Sequence, residues 1–371
     1  MENVWEMIVD QQRKINRKLW RFRACFPPKG SKPLLWIRIT IVLTLFSSLC
    51  LVSSAQETAK TKPKSRKFRS GLNQFVKLGQ FEDNQITESS GVVMASPEFN
   101  DRPESAFWTL NDSGGKAVLY RVGLTGLTET KLAIKGATNR DWESMCSLIV
   151  DGKRYLAVGD VGDNGKRHPS CKVYLVEEPD FKPNVDGNGK PVVQDLTAAA
   201  SVFEFTYEDG PNNCEAMGYN SEDNTFWFVE KVYVDNRRKK PPGIYVLPDP
   251  MKKAKEAGVN SSKNIARRVA DLPIRNVTGM AFSDDNKKLV IRTYFGCFLY
   301  EKKDGKTWLE TVNETELKSR ALPLQTQGEA ICFFKDANSM LLTSELKGAF
   351  IWEVRLDSKK RRKVKKAKQN E

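Results

Sequence analysis

Five oxygen-bearing residues recur at the start of short apolar segments in this chain: Ser90, Glu143, Glu215, Thr278 and Glu329. Each precedes a small residue and then an apolar one, as in Glu215-Ala216-Met217 and Thr278-Gly279-Met280. If the fold gathers them around one axis, three carboxylates meet in a poorly solvated channel. There they repel by on the order of several kcal/mol per pair, so protons or a cation must be present. Two hydroxyls and three carboxylates make an all-oxygen donor set of mixed charge, which suits a hard cation. Calcium, with about 6–8 oxygen ligands at ~2.3–2.6 Å, fits better than magnesium. The lack of nitrogen and sulfur ligands disfavours zinc and copper.

A second set of candidates follows the next apolar segment of each repeat. It comprises Asn111 and Asp112, then Asp160, Asp163 and Asn164, then Glu230 and Lys231, Arg292, and Glu345. Asp141 lies two residues before Glu143 and so shares its side if the segment is a strand. Gathered on one rim, these residues form an acidic pocket in which Lys231 and Arg292 are available to a small anionic substrate. Asp112 and Asp160 are the candidate catalytic pair, placed to activate water beside a cation for attack on phosphorus or carbon. Turn chemistry competes with that reading, because Asn-Asp-Ser-Gly at 111–114 and Gly-Asp-Asn-Gly at 162–165 are strong turn formers. The single histidine, His168, stands beside Pro169 in a basic loop. Its isolation argues against Ser-His-Asp catalysis and against histidine-ligated zinc. No glycine-rich phosphate loop is present.

The elements that must position these groups repeat with them. The gaps between the five markers are 53, 72, 63 and 51 residues, too long for solenoid turns and suited to four-stranded blades. Second strands are expected at 107–110, 155–158, 226–229, 289–291 and 340–342, and third strands at 118–122, 172–176, 244–247, 297–300 and 350–354. Fourth strands are expected at 202–205 and 266–269. The pattern predicts an all-β chain, a five-bladed β-propeller over 71–357. Gln74–Leu78 would close the ring by completing the last blade and so remove an open edge. Six blades is the alternative, since the 72-residue gap holds a Pro- and Gly-containing stretch at 178–191, read here as a long loop.

The order Ser90, Glu143, Glu215, Thr278, Glu329 resembles the central calcium ring of the calcium-activated nucleotidases, the soluble apyrases. Their five-bladed propeller holds calcium through Ser, Glu, Glu, Ser and Glu from successive inner strands. The resemblance spans the propeller in short patterns and implies that the five residues are calcium ligands, with Thr278 replacing a serine. In those enzymes a first-blade loop carries paired aspartates followed by arginine. Here the loop is Asn111-Asp112-Ser113-Gly114-Gly115, with one aspartate and no arginine, so Asp112 alone matches.

Net charge is +14, but it resides in the ends. Residues 1–55, 56–70 and 358–371 together hold 23 of the 60 basic and 5 of the 46 acidic residues, which leaves 37 and 41 in 71–357. A basic stretch, the apolar run Ile39 to Val52 and then Ser53-Ser54-Ala55 read as an export signal over 1–55. The alternative is a membrane anchor formed by 34–52. Residues 56–70 read as a basic flexible tether. The tail 358–371 reads as disordered and drawn to polyanions, an anionic cell envelope among them; without interleaved aromatics it does not suit nucleic acid. The secreted or periplasmic chain would keep five cysteines, Cys146, Cys171, Cys214, Cys297 and Cys332. Their spacing fits no metal motif or disulfide scaffold and reads as small core residues. Two function classes stay open. One is a calcium-stabilised propeller whose rim binds a partner, glycan or extracellular polymer. The other is a calcium-dependent hydrolase of phosphate-containing anionic substrates.

Overall fold

A computed structural model describes residues 74–96, 105–233, 241–249 and 264–356. The expected signal, tether and basic tail lie outside these residues. All of the described chain belongs to one compact unit, Arg69–Glu371.

The strands form five antiparallel runs of four. The first is β2 (Ser89–Met94), β3 (Ala106–Asn111), β4 (Val118–Gly123) and β5 (Thr128–Lys135). In the second, β6 (Trp142–Val150), β7 (Lys153–Asp160) and β8 (Cys171–Glu177) are followed by β11 (Gln194–Tyr207). The third is β12 (Cys214–Asn220), β13 (Thr225–Glu230), β14 (Gly243–Pro248) and β15 (Asn264–Asp271). The fourth is β16 (Val277–Phe282), β17 (Lys288–Thr293), β18 (Gly296–Glu301) and β19 (Ser319–Ala321). In the fifth, β20 (Gly328–Phe333), β21 (Ser339–Ser344) and β22 (Phe350–Arg355) are joined by β1 (Phe75–Gln80) from the start of the described chain.

Each expected second and third strand falls inside one of these elements. Two segments differ from expectation. The stretch 178–191, read as loop, holds most of a small hairpin, β9 (Asn184–Val185) with β10 (Pro191–Val192). The fourth run contains a helix, α1 (Trp308–Glu314), that a strand-only reading missed. Its start is specified locally: Thr307 accepts from the Glu310 amide while the Glu310 carboxylate accepts from the Thr307 amide, a reciprocal cap. Turn residues agree with the β-hairpins they join. Asp151 and Gly152 both have positive φ between β6 and β7, the conformation that a two-residue hairpin loop requires.

Apolar packing joins neighbouring runs face to face. Trp108 and Leu119 pack with Leu156 and Tyr174, Phe205 with Phe228, and Trp227 with Met280 and Trp308. A further cluster unites Val92 and Phe107 with Val290, Ile331 and Leu341. Phe107, Phe226 and Phe228 are wholly buried, each contributing about 1.5–3 kcal/mol. The first strands of the runs are neighbours in order: β2 beside β6, β6 beside β12, β12 beside β16, β16 beside β20, and β20 beside β2. Close approach is built into two of these contacts. A Cβ on Gly279 would fall 2.4 Å from the Glu329 carbonyl oxygen, and one on Gly91 would fall 2.8 Å from the Met145 nitrogen. All five cysteines of this region are free thiols, four of them buried.

β11 is unusually long. Its first half lies parallel to β5 and its last residues lie parallel to β15, so three runs share one continuous sheet.

Candidate metal centre

All five marker residues are buried in the first strands of their runs. The backbone explains why they face inward. The β2–β3 register passes from Ser89 to Gly91 against consecutive partners, leaving Ser90 as an extra residue. The same single-residue excess falls on Glu143, Glu215 and Thr278, and in β20 within the interval that contains Glu329. Five bulges at one level re-aim five side chains, as bulges beside functional sites do. The ends of the second strands sit at that same level, with Asn111 opposite Ser89, Asp160 opposite Trp142 and Glu230 opposite Cys214.

Glu143, Glu215 and Glu329 each offer a carboxylate oxygen within 4.8 Å of the others. The two hydroxyls tie adjacent strands. Ser90 Oγ donates to the Trp142 carbonyl at 2.9 Å and Thr278 Oγ1 to the Gly328 carbonyl at 3.0 Å. With its proton committed to a carbonyl, each oxygen has only lone pairs left to offer, as a cation ligand must. Glu215 accepts from Asn213 at 3.1 Å and from Lys231. Glu329 accepts from the Tyr294 hydroxyl at 3.1 Å. Glu143 is 3% exposed, and among the described residues no hydrogen bond or ion pair reaches its carboxylate. A buried carboxylate so placed is costly unless paired or metal-bound, so the donor set fits a hard cation. A second group of carboxylate oxygens within 4.8 Å joins Glu143 to Asp112 and Asp141, which are half-buried.

The rim residues have varied fates. Lys231 turns inward and is buried: its ammonium pairs with Glu215 and lies 3.9 Å from Glu329. Arg292 is 1% exposed and donates to the Ala330 and Thr343 carbonyls and, at 2.6 Å, to Gln325. Both cations expected to be available to a substrate anion are thus engaged by internal partners. Asn111 turns its amide to the loop, accepting from the Thr87 and Glu88 amides and donating to the Gln85 carbonyl. Asp160 is buried and accepts from the Asp141 amide at 3.0 Å with Arg140 at 3.4 Å. It positions Asp141 and faces away from water. Asp163 accepts from the His168 amide, and Glu230 pairs with Lys166 at 2.7 Å. Exposed Asn164 accepts from Tyr233 at 3.0 Å. Glu345 is buried beside Glu329 and Gln327. Sequence reasoning missed Asn213 and Tyr294; Tyr294 follows directly on β17, where the same rule that selected the other rim residues would have found it.

Burial, then repulsion from like neighbours, raises the carboxyls here. Asp112 and Glu215 are pushed up to about 7 and Glu329 to about 8. Glu143, Asp141 and Glu345 are raised too, burial leading in each. Burial pulls Lys231 down, but Glu215 and Glu329 outweigh it and hold the ammonium above the usual lysine range. Burial pushes Arg292 down to about 10. The folded chain thus binds carboxyl protons more tightly than the unfolded chain does. The stability they contribute is fully present below about pH 4 and is lost as pH rises through about 7–8. Glu178 works the other way: burial raises it, yet Arg154 and Ser96 prevail and lower it, so its contribution fades in acid. In chelator, the urea midpoint is expected to peak near pH 5 and fall toward pH 8, and calcium to flatten that fall. A midpoint constant from pH 5 to 8 in chelator would contradict this charge crowding.

No protein-family model matches this sequence, and no curated protein does. Among solved structures, the chain is similar to the WD40 repeats of RRP9, with a TM-score of 0.36 and 10% identity over 77% of this chain and 98% of that one. It is likewise similar to U3-55K, with a TM-score of 0.36 and 10% identity over 76% and 99% of the two chains.

Proposed function

We propose that this chain is an exported five-bladed β-propeller, its ring completed by β1, with a calcium ion held at the centre by Ser90, Glu143, Glu215, Thr278 and Glu329. The observation behind this reading is the meeting of Glu143, Glu215 and Glu329 within 4.8 Å from three different runs. The cyclic neighbour order of the inner strands supports the five-bladed ring, and the resemblance of the five ligands to the nucleotidase ring supports calcium. Export rests on the sequence pattern at 39–55 alone. Bound calcium would supply two positive charges to a crowded carboxylate centre and link blades that otherwise repel there.

For the rim, a binding role is favoured over phosphate chemistry, because Lys231 and Arg292 are both committed inside. Tyr233, Phe295, Leu324 and Leu346 stand exposed just beyond the strand ends at the marker level. Aromatic and aliphatic surface around an acidic, cation-holding mouth suits a neutral polymer such as a glycan better than a small anion. A specific observation supports the second reading, a calcium-dependent hydrolase: Asp112 is half-buried at the mouth with its carboxyl near 7, suited to a general base. Isothermal titration of the full chain with calcium tests the first claim, and heat of binding with a raised melting temperature is expected. No binding at millimolar calcium would overturn it. Product release from a phosphate-ester panel, lost in Asp112→Asn with calcium at the Glu143, Glu215 and Glu329 centre kept, would move the rim to the hydrolase reading.

A further inference from the structure

Glu143 belongs to two carboxylate groups at once. Deeper in the molecule it meets Glu215 and Glu329, and toward the mouth it meets Asp112 and Asp141. The two groups differ in counter-charge. Lys231 serves the deeper one. Among the described residues no ammonium or guanidinium lies within ion-pair distance of Asp112 or Asp141, and Arg140, next to Asp141 in sequence, is turned to Asp160.

The outer group is also shaped. Asp160 holds the Asp141 amide, Gly162 donates to the Asp141 carbonyl at 3.1 Å, and the Ser113 amide caps Asp112 at 2.5 Å. Gly162 closes one side of the group, and any side chain there would force the two carboxylates to shift. A Cβ there would fall 2.5 Å from Glu143 Oε1 and 2.6 Å from Asp141 Oδ2. When all are ionised, the five carboxylates of the two groups leave four formal negative charges against the one ammonium that pairs with them among the described residues. One divalent cation answers half of them; two answer all.

Building on the proposed calcium centre, we propose a second divalent-cation position, formed by Asp112, Asp141 and Glu143, with Glu143 shared between the two. Its donors are all carboxylate oxygens, so calcium is the expected occupant. Because Asp112 and Asp141 are half-buried while the deeper trio is closed, an incoming ligand's oxygens would reach this outer ion first.

Equilibrium dialysis of the full chain against calcium alone reads the stoichiometry. Near-UV circular dichroism in chelator confirms that each variant is folded. Two ions per chain are expected, one of them weakened at least tenfold by Asp141→Asn, Asp112→Asn or Gly162→Ala and the other by Glu215→Gln. Three variants bear on the outer position, so failure of one to fold leaves the test intact. One ion per chain, indifferent to the Asp112 and Asp141 variants, would overturn the outer position and leave the central ring standing. One ion lost in Asp141→Asn but kept in Glu215→Gln would overturn the ring and keep the outer position. One ion lost in both variants means a single shared cation and refutes the second position. No bound ion refutes both.

Discussion

Lys231→Met is expected to destabilise the chelated protein by about 3–5 kcal/mol at pH 8, the cost of removing one partner from a buried ion pair. Among the described residues Lys231 is the one ammonium that touches the inner carboxylates, and without it Glu215 and Glu329 must either stay charged and unpaired or take up protons. Their carboxyls already sit near 7 and 8, so protonation rescues the variant in acid. The loss should therefore shrink toward pH 5. Saturating calcium should recover part of it, because the cation supplies the missing positive charge. Urea denaturation at pH 5 and 8, with chelator and with calcium, gives the four numbers. A variant as stable as the parent at pH 8 in chelator would mean that the ammonium is not the counter-charge of this centre.

Glu143→Gln should act with opposite signs in the two states. Its carboxylate is buried without a hydrogen bond or ion pair among the described residues, so replacing it with a neutral amide relieves repulsion and stabilises the chelated protein at pH 8. The same change removes the carboxylate common to both proposed cation positions. Calcium affinity should fall on the order of 100-fold, the upper end of what even ligand-supporting residues contribute. At calcium one hundred times the parent Kd, the parent gains about 2.7 kcal/mol, whereas the variant gains about 0.4 kcal/mol. Thermal melts with and without calcium read this directly. A variant destabilised equally in both conditions would make Glu143 a packing residue.

Much of the architecture could be read from residue patterns because it is set by short-range alternation. Segments such as Phe226-Trp227-Phe228-Val229 and Val173-Tyr174-Leu175-Val176 are apolar runs bounded by turn residues, and both are strands. The marker residues were recognisable as a set by repetition, but their shared inward aim depends on a bulge in each ladder. A bulge is a property of pairing and leaves little trace in a single segment. The rim was harder. Asp160 and Arg292 both end second strands, yet one turns to a neighbouring amide and the other to strand carbonyls. Which way a long polar side chain turns is decided by partners far off in sequence: Arg292 reaches Thr343, and Lys231 reaches Glu329. The helix at 308–314 is legible in Thr307-x-x-Glu310, a capping signal that strand alternation does not register.

The parallel ladders made by β11 divide the molecule unequally. Three runs are stitched edge to edge into one continuous sheet, while the fourth and fifth are separate sheets tied to their neighbours by packing and by scattered backbone bonds, such as the Leu346 amide to the Thr87 carbonyl and the Gln80 amide to the Thr125 carbonyl. Thermal breathing should then be borne by those two wedges, which swing against a stiff three-part yoke. Glu143 and Glu215 ride on the yoke, Thr278 and Glu329 on the wedges. A cation gripping both sets would act as a latch between the yoke and the wedges.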